Sequence, residues 1–140
     1  MAIIVQEMIN AKVSGVLFTR NPLKRDTGED EFVINATFGL GEPLVSGRVS
    51  GDTFIIDKEK SSIKESIITQ KDTMLTKDGE MDVPESIKSV STLNNFQISQ
   101  LIQIGKELEE LFGAPQDIEF AITHDKIWVL QSRPITKSGS

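Results

Sequence analysis

Asp117, Glu119, Gln131 and Arg133 fall on a spacing that could bring metal-binding oxygens and a phosphate-binding fork together. They lie in two predicted strands, Asp117 to Thr123 and Ile127 to Arg133, in which the even positions Ile118, Phe120, Ile122, Trp128 and Leu130 are all apolar. Side chains alternate between the faces of a strand, so one face of the predicted hairpin is core and the odd positions share the other. Directly opposed residues of an antiparallel pair point to the same side, so an even-numbered core face requires paired numbers with an even sum. A two-residue loop at His124-Asp125 would pair Thr123 with Lys126 and is rejected. A three-residue loop, His124-Asp125-Lys126, pairs Thr123 with Ile127, which sets Glu119 opposite Gln131 and Asp117 opposite Arg133. Trp128 then belongs to the core, on the other side of the sheet from Glu119. Finding these two on one side would end this argument for the site.

Two carboxylates and an amide oxygen on one face are hard donors, suited to a Mg²⁺ held partly by protein and partly by phosphate oxygens. Arg133 adds a planar fork that matches a phosphoryl group. On spacing alone, the simpler reading is a solvated strand face with a cross-strand Asp–Arg pair. Gly39-Leu40-Gly41-Glu42 would let a backbone approach a ligand closely, or serve only as a turn. His124, the only histidine, is expected to be a solvated turn residue, and Glu107, Glu109 and Glu110 a solvated helix face.

The elements that must position these residues are read from periodicity. Ile3-Ile4-Val5 reads as a buried strand with no lead-in, which predicts a chain cut from a longer one. Val13 to Thr19 and Glu31 to Ala36 read as a hairpin with a long charged tip, and Phe38 to Gly47 as a tight turn or the entry to a short helix. Thr53 to Asp57 and Ser62 to Thr69 are further strand candidates, while the polar stretch from Lys71 to Asn95 is read as a surface excursion. From Phe96, the apolar residues Ile98, Leu101, Ile102, Leu108, Leu111 and Phe112 recur every three or four positions. This predicts an amphipathic helix of about four turns on a sheet, with Asn94 or Asn95 as N-cap, Gly113 at C′ and Pro115 beyond. The fold class is therefore α+β, an antiparallel sheet with a long packed helix.

Of 140 residues, 15 are Lys or Arg and 21 Asp or Glu, a net charge of −6, which argues against a nucleic-acid partner. Length and composition fit one ordinary globular domain, or a large piece of one. The absence of Cys leaves no disulfide, thiol nucleophile or zinc–thiolate chemistry. No apolar run approaches the ~20 residues needed to span a bilayer, and no secretory leader is visible, so a cytoplasmic protein with no membrane association is expected.

Several separated blocks resemble one family. These are Val5-Gln6-Glu7-Met8, Ser14 to Thr19, Asn21-Pro22, Phe38-Gly39-Leu40-Gly41-Glu42 with Val45-Ser46-Gly47, Gln116 to Phe120, and Leu130 to Thr136. In that order, and with twelve residues from Glu119 to Gln131, they resemble the ATP-binding domain of the pyruvate phosphate dikinase, phosphoenolpyruvate synthase and rifampicin phosphotransferase family. The glycine block is most similar to the synthase and rifampicin branches. The resemblance implies an ATP-grasp fold, with residues 1–136 forming its C-terminal subdomain and 137–140 a linker or tail. It implies transfer of a phosphoryl group from ATP to a histidine on a separate domain, and on to pyruvate or, in one branch, to the antibiotic.

By the same resemblance Glu119 and Gln131 are Mg²⁺ ligands, Arg133 a phosphate contact and Asp117 a supporting catalytic carboxylate. Gln6, Glu7 and Met8 form an adenine-side linker, and Glu42 the acid of the glycine loop. The implied partners are ATP, the missing N-terminal ATP-grasp subdomain, and the phosphohistidine and acceptor domains. The negative charge suits a half-cleft whose missing half brings Lys and Arg to the phosphates. Phe120 stands where many members have Trp, and His124 does not match the phosphorylated histidine. A stand-alone, non-catalytic binding module descended from the domain is the rival reading. Uncovered apolar residues at Ile3, Val5 and Met8 predict some self-association of the chain.

Overall fold

The computed structural model describes residues 11–22, 31–41, 50–124 and 126–135. The strand expected at Ile3 to Val5, the segment Gln6, Glu7 and Met8, Glu42 and the tail 137–140 lie outside them. In chain order the strands are β1 (Val13–Phe18), β2 (Glu31–Phe38), β3 (Asp52–Asp57), β4 (Ser62–Ile67), β5 (Thr73–Thr76) and β6 (Gly79–Asp82). A short 3₁₀ turn at Glu85–Ile87, the helix α1 (Asn95–Phe112), β7 (Gln116–Thr123) and β8 (Lys126–Pro134) follow. Six strands form one sheet in the order β4-β3-β2-β1-β7-β8, with every neighbouring pair antiparallel, and β5 and β6 form a separate hairpin. The fold is α+β, as the periodicity predicts.

One face of the large sheet is the core. Rows of opposed residues run across it, Leu17 between Ile34 and Ile118, and Gly15 between Ala36 and Phe120. Leu17, Ile34, Ala36, Ile118 and Phe120 are all buried. Gly15 is needed there: a Cβ would meet the Asn35 carbonyl oxygen at 2.1 Å and the Phe120 ring at 2.7 Å. The helix lies on this face through Ile98, Leu101, Ile102 and Leu108. Gly105 brings it close enough that a Cβ would touch Leu17, Phe32 and Thr19.

Local signals set both ends of α1. Asn94 accepts from the Gln97 backbone N–H at 2.7 Å, while the Gln97 side chain accepts from the Asn94 N–H at 2.9 Å, a reciprocal capping box. Gly113 closes the helix at φ 68°, a left-handed conformation that glycine adopts without strain. Leu111 and Phe112, expected on the packed face, are 67% and 52% exposed, because the last turn runs past the sheet. A cleft of about 480 Å³ opens there between Leu108, Leu111, Ile127 and Val129.

The stretch from Lys71 to Asn95 is not a surface excursion. It contains β5, β6 and the buried residues Lys71, Val83, Thr92 and Leu93. Lys71 is fully buried and donates to Asp52 Oδ1 at 2.7 Å and to the Thr69 carbonyl at 2.6 Å. The Asp52 carboxylate also accepts from the Thr69 N–H, the Thr92 N–H and the Thr92 hydroxyl. A buried charge pair is tolerable only when its remaining hydrogen-bonding capacity is met in this way. The pair ties the start of β3 to the connections either side of the β5–β6 hairpin. That hairpin in turn holds the glycine segment, through Leu40 N–H donating to the Leu75 carbonyl at 2.7 Å.

Candidate functional site

The last hairpin carries two registers. Near the tip Thr123 pairs with Lys126, Ile122 with Ile127, Ala121 with Trp128 and Phe120 with Val129. This is the two-residue loop at His124-Asp125 that parity rejected, and His124 has the positive φ, 40°, that such turns require. A bulge follows, in which Leu130 has no opposed residue. Beyond it Glu119 faces Gln131, Ile118 faces Ser132 and Asp117 faces Arg133, as predicted.

The bulge inverts the parity of β8. Ile127 and Val129 pack against the core, not Trp128 and Leu130. Trp128, opposite Ala121, shares its side of the sheet with Thr123 and Glu119, and its Nε1 donates to the Thr123 hydroxyl at 2.9 Å. The expectation that Trp128 is core and faces away from Glu119 is thus overturned, and the argument for the site from alternation in β8 ends with it. What puts Glu119 on the face away from the helix is β7 itself, where its neighbours Ile118 and Phe120 are buried in the core.

That face collects the predicted residues of the two strands. Asp117 is largely buried and Arg133 mostly exposed; Arg133 Nε donates to Asp117 Oδ2 at 3.2 Å. This single bond steadies the guanidinium and leaves its two terminal nitrogens without a partner among the described residues. Glu119 is half-buried, Gln131 is exposed, and neither side chain makes a hydrogen bond or ion pair among the described residues. A carboxylate, an amide and the forked end of an arginine are therefore free of partners among the described residues, on neighbouring paired strands. Among the described residues no three His, Cys, Asp or Glu side chains gather as a metal cage. His124 is exposed at the turn, as expected.

One acidic residue read as solvated has a structural task. Glu109 accepts from the Thr19 hydroxyl at 2.8 Å and pairs with Lys58 Nζ at 2.6 Å, and Thr19 Oγ1 accepts from the Gln116 N–H. This chain of bonds joins the helix to Gln116, which opens β7 one residue before Asp117 and three before Glu119. Thr19 lies 90 positions from Glu109 and 97 from Gln116, so no local pattern announces these bonds. Glu107 and Glu110 are exposed as expected.

No helix among the described residues is long and apolar enough to cross a membrane. The family model described as "Pyruvate phosphate dikinase, AMP/ATP-binding domain" matches residues 1–140. The chain is 42% identical over 139 residues to a probable phosphoenolpyruvate synthase of Archaeoglobus fulgidus, covering 96% of this chain and 18% of that protein. It is 42% identical over 141 residues to a probable phosphoenolpyruvate synthase of Methanocaldococcus jannaschii, covering 97% and 12%. It is 36% identical over 140 residues to the prodigiosin synthesizing transferase PigC of Serratia marcescens, covering 96% and 16%. The chain thus spans a fifth or less of the length of these relatives. With a match along its entire length, the chain belongs to the pyruvate phosphate dikinase AMP/ATP-binding domain family.

Proposed function

We propose that this chain is one wall of an ATP cleft, the C-terminal subdomain of an ATP-grasp fold in a larger cytoplasmic phosphotransferase. Residues 1–136 form the subdomain and 137–140 a linker or tail. The observation that carries the reading is the opposed pair Glu119 and Gln131, unpartnered among the described residues, beside the Asp117–Arg133 bond. One carboxylate and one amide oxygen suit Mg²⁺, which keeps much of its shell for water and phosphate. Bound there, Mg²⁺ would neutralise charge on the ATP phosphates.

Phosphoryl transfer asks a protein mainly for alignment and charge stabilisation. Glu119 and Gln131 supply ligand oxygens from neighbouring strands, whose hydrogen-bonded ladder fixes their separation. Arg133 offers its two terminal nitrogens to a phosphoryl group, and Asp117 orients the guanidinium through Nε. Gln6, Glu7 and Met8 would line the adenine side, and Glu42 the glycine loop. The phosphoryl group passes from ATP to a histidine on a separate domain and then to pyruvate, an acceptor supported by relatives named as phosphoenolpyruvate synthases. The rest of the cleft and the phosphohistidine and acceptor domains belong to the longer protein, in keeping with the small share of each relative that the chain covers.

A relative named as a prodigiosin synthesizing transferase supports a second reading, in which the acceptor differs while the ATP half is retained. A rifampicin phosphotransferase or a pyruvate phosphate dikinase belongs under that reading. The test is ATP-dependent phosphorylation of the enzyme's own histidine, with Glu119→Ala in the full-length protein and an unchanged melting temperature. A loss of about 10²–10³-fold is expected. Near-normal phosphorylation would leave this face an ordinary solvated surface or the chain a non-catalytic binding module.

A further inference from the structure

The row that holds the Glu119–Gln131 pair continues inward across the sheet. Val16 is opposed by Glu119 on one side and by Asn35 on the other, and Asn35 is opposed by Thr53. Asn35 thus faces the same side as Glu119, two strand spacings or about 10 Å away. Asparagine is a poor residue for the middle of a strand, and here it interrupts the apolar run Phe32-Val33-Ile34 in β2. Its neighbours on that face explain only half of it. The Thr53 hydroxyl donates to Asn35 Oδ1 at 2.9 Å, which turns the carbonyl toward β3 and the amide N–H groups away from it. Nδ2 has no acceptor among the described residues, and the side chain is only half-buried.

A carbonyl held by its neighbour and an amide turned outward make a fixed, neutral donor. Such a group recognises an oxygen acceptor, and in a chain of net charge −6 it does so without adding another carboxylate beside Glu119. We propose that Asn35, oriented by Thr53, is a further nucleotide-contacting residue, its side-chain amide donating to a phosphoryl oxygen of the nucleotide whose metal is held at Glu119 and Gln131. The inference rests on the ATP-cleft reading and extends it by two strands. Val16 between them keeps the floor of the row apolar, so the polar contacts fall at its two ends.

Nuclear magnetic resonance of the ¹⁵N-labelled chain tests it, because weak binding suffices. The Asn35 side-chain pair is identified by its disappearance in Asn35→Asp, and the chain is titrated with MgATP, MgADP and adenosine at millimolar concentration. The Asn35 side-chain signal is expected to move with MgATP and MgADP, along the same saturation curve as the backbone amides of Glu119 and Gln131, and to stay in place with adenosine. In Thr53→Val, which keeps the shape and frees the amide to rotate, MgADP binding should weaken about three- to tenfold with an unchanged melting temperature. Movement of the Glu119 and Gln131 amides with a silent Asn35 side chain overturns this inference and leaves the ATP-cleft reading standing. Movement with adenosine overturns the phosphoryl assignment. Signals that all stay in place remove the ATP-cleft reading and this inference together.

Discussion

Trp128 and Glu119 lie on the same side of the sheet, Trp128 opposite Ala121 and Glu119 opposite Gln131, because the unopposed Leu130 inverts the alternation between them. The indole sits toward the hairpin tip, bonded to Thr123, with Lys126 Nζ 4.9 Å from its ring centroid. Phe120, by contrast, is sealed under the helix and against Gly15. In urea denaturation Phe120→Ala should cost about 3–5 kcal/mol and Trp128→Ala about 1–2 kcal/mol. Equal losses would mean that the indole is a core residue.

Removing the Lys71 ammonium leaves Asp52 buried with its backbone and Thr92 donors but no counter-charge. Lys71→Met is therefore expected to destabilise by about 3 kcal/mol or more. Adding Asp52→Asn removes the uncompensated charge and should recover part of that loss. A double-mutant cycle in which the two changes simply add would show that the residues do not act as a pair.

Gly15→Ala places a methyl group against the Asn35 carbonyl and the Phe120 ring, in the central strand of the sheet. Strands held on both sides cannot give way, so a loss of about 1–3 kcal/mol or more is expected. Gly113→Ala meets no atoms and pays only for its left-handed backbone, about 1–2 kcal/mol. Thermal melts of the two variants should fall in that order.

The chain alone should bind MgATP with a dissociation constant between about 10 μM and a few millimolar, since one wall buries only part of the ligand. Calorimetric titration gives the number, and tighter binding would contradict the half-cleft reading. The expected self-association is checked by sedimentation at high concentration, where a strictly monomeric chain would count against it.

Arg133→Lys keeps the charge but loses the fork and the Nε bond that steadies it. In the full-length enzyme, histidine phosphorylation should fall about tenfold or more while the fold, which meets Arg133 only at its exposed edge, melts as before. Full activity with lysine would reduce the residue's role to that of a point charge.

The parts of the fold legible in the sequence are those fixed by neighbours in the chain. Asn94, Gln97 and Gly113 mark the ends of α1 because capping is local. A loop one residue longer and a bulge at Leu130 lead to the same pairing of Glu119 with Gln131, since either removes one residue from the pairing of β8, and alternation alone predicts the longer loop. Leu111 and Phe112 have the right period, but periodicity carries no information about where the sheet beneath a helix stops. Lys71 read as solvent-exposed because its partners Asp52 and Thr92 lie far from it in sequence. The task of Asn35 has the same origin: its place beside Glu119 comes from the order of strands, which no single segment encodes.

The Glu119–Gln131 pair straddles the joint between an interior strand and the outermost one. Edge strands open most readily, so the two halves of the pair part whenever β8 frays. A ligand gripping both acts as a clasp on that seam, and slows amide exchange in β8 by a factor of one plus the ratio of ligand concentration to its dissociation constant. A ligand held there would therefore tighten the sheet's rim as well as fill a binding surface.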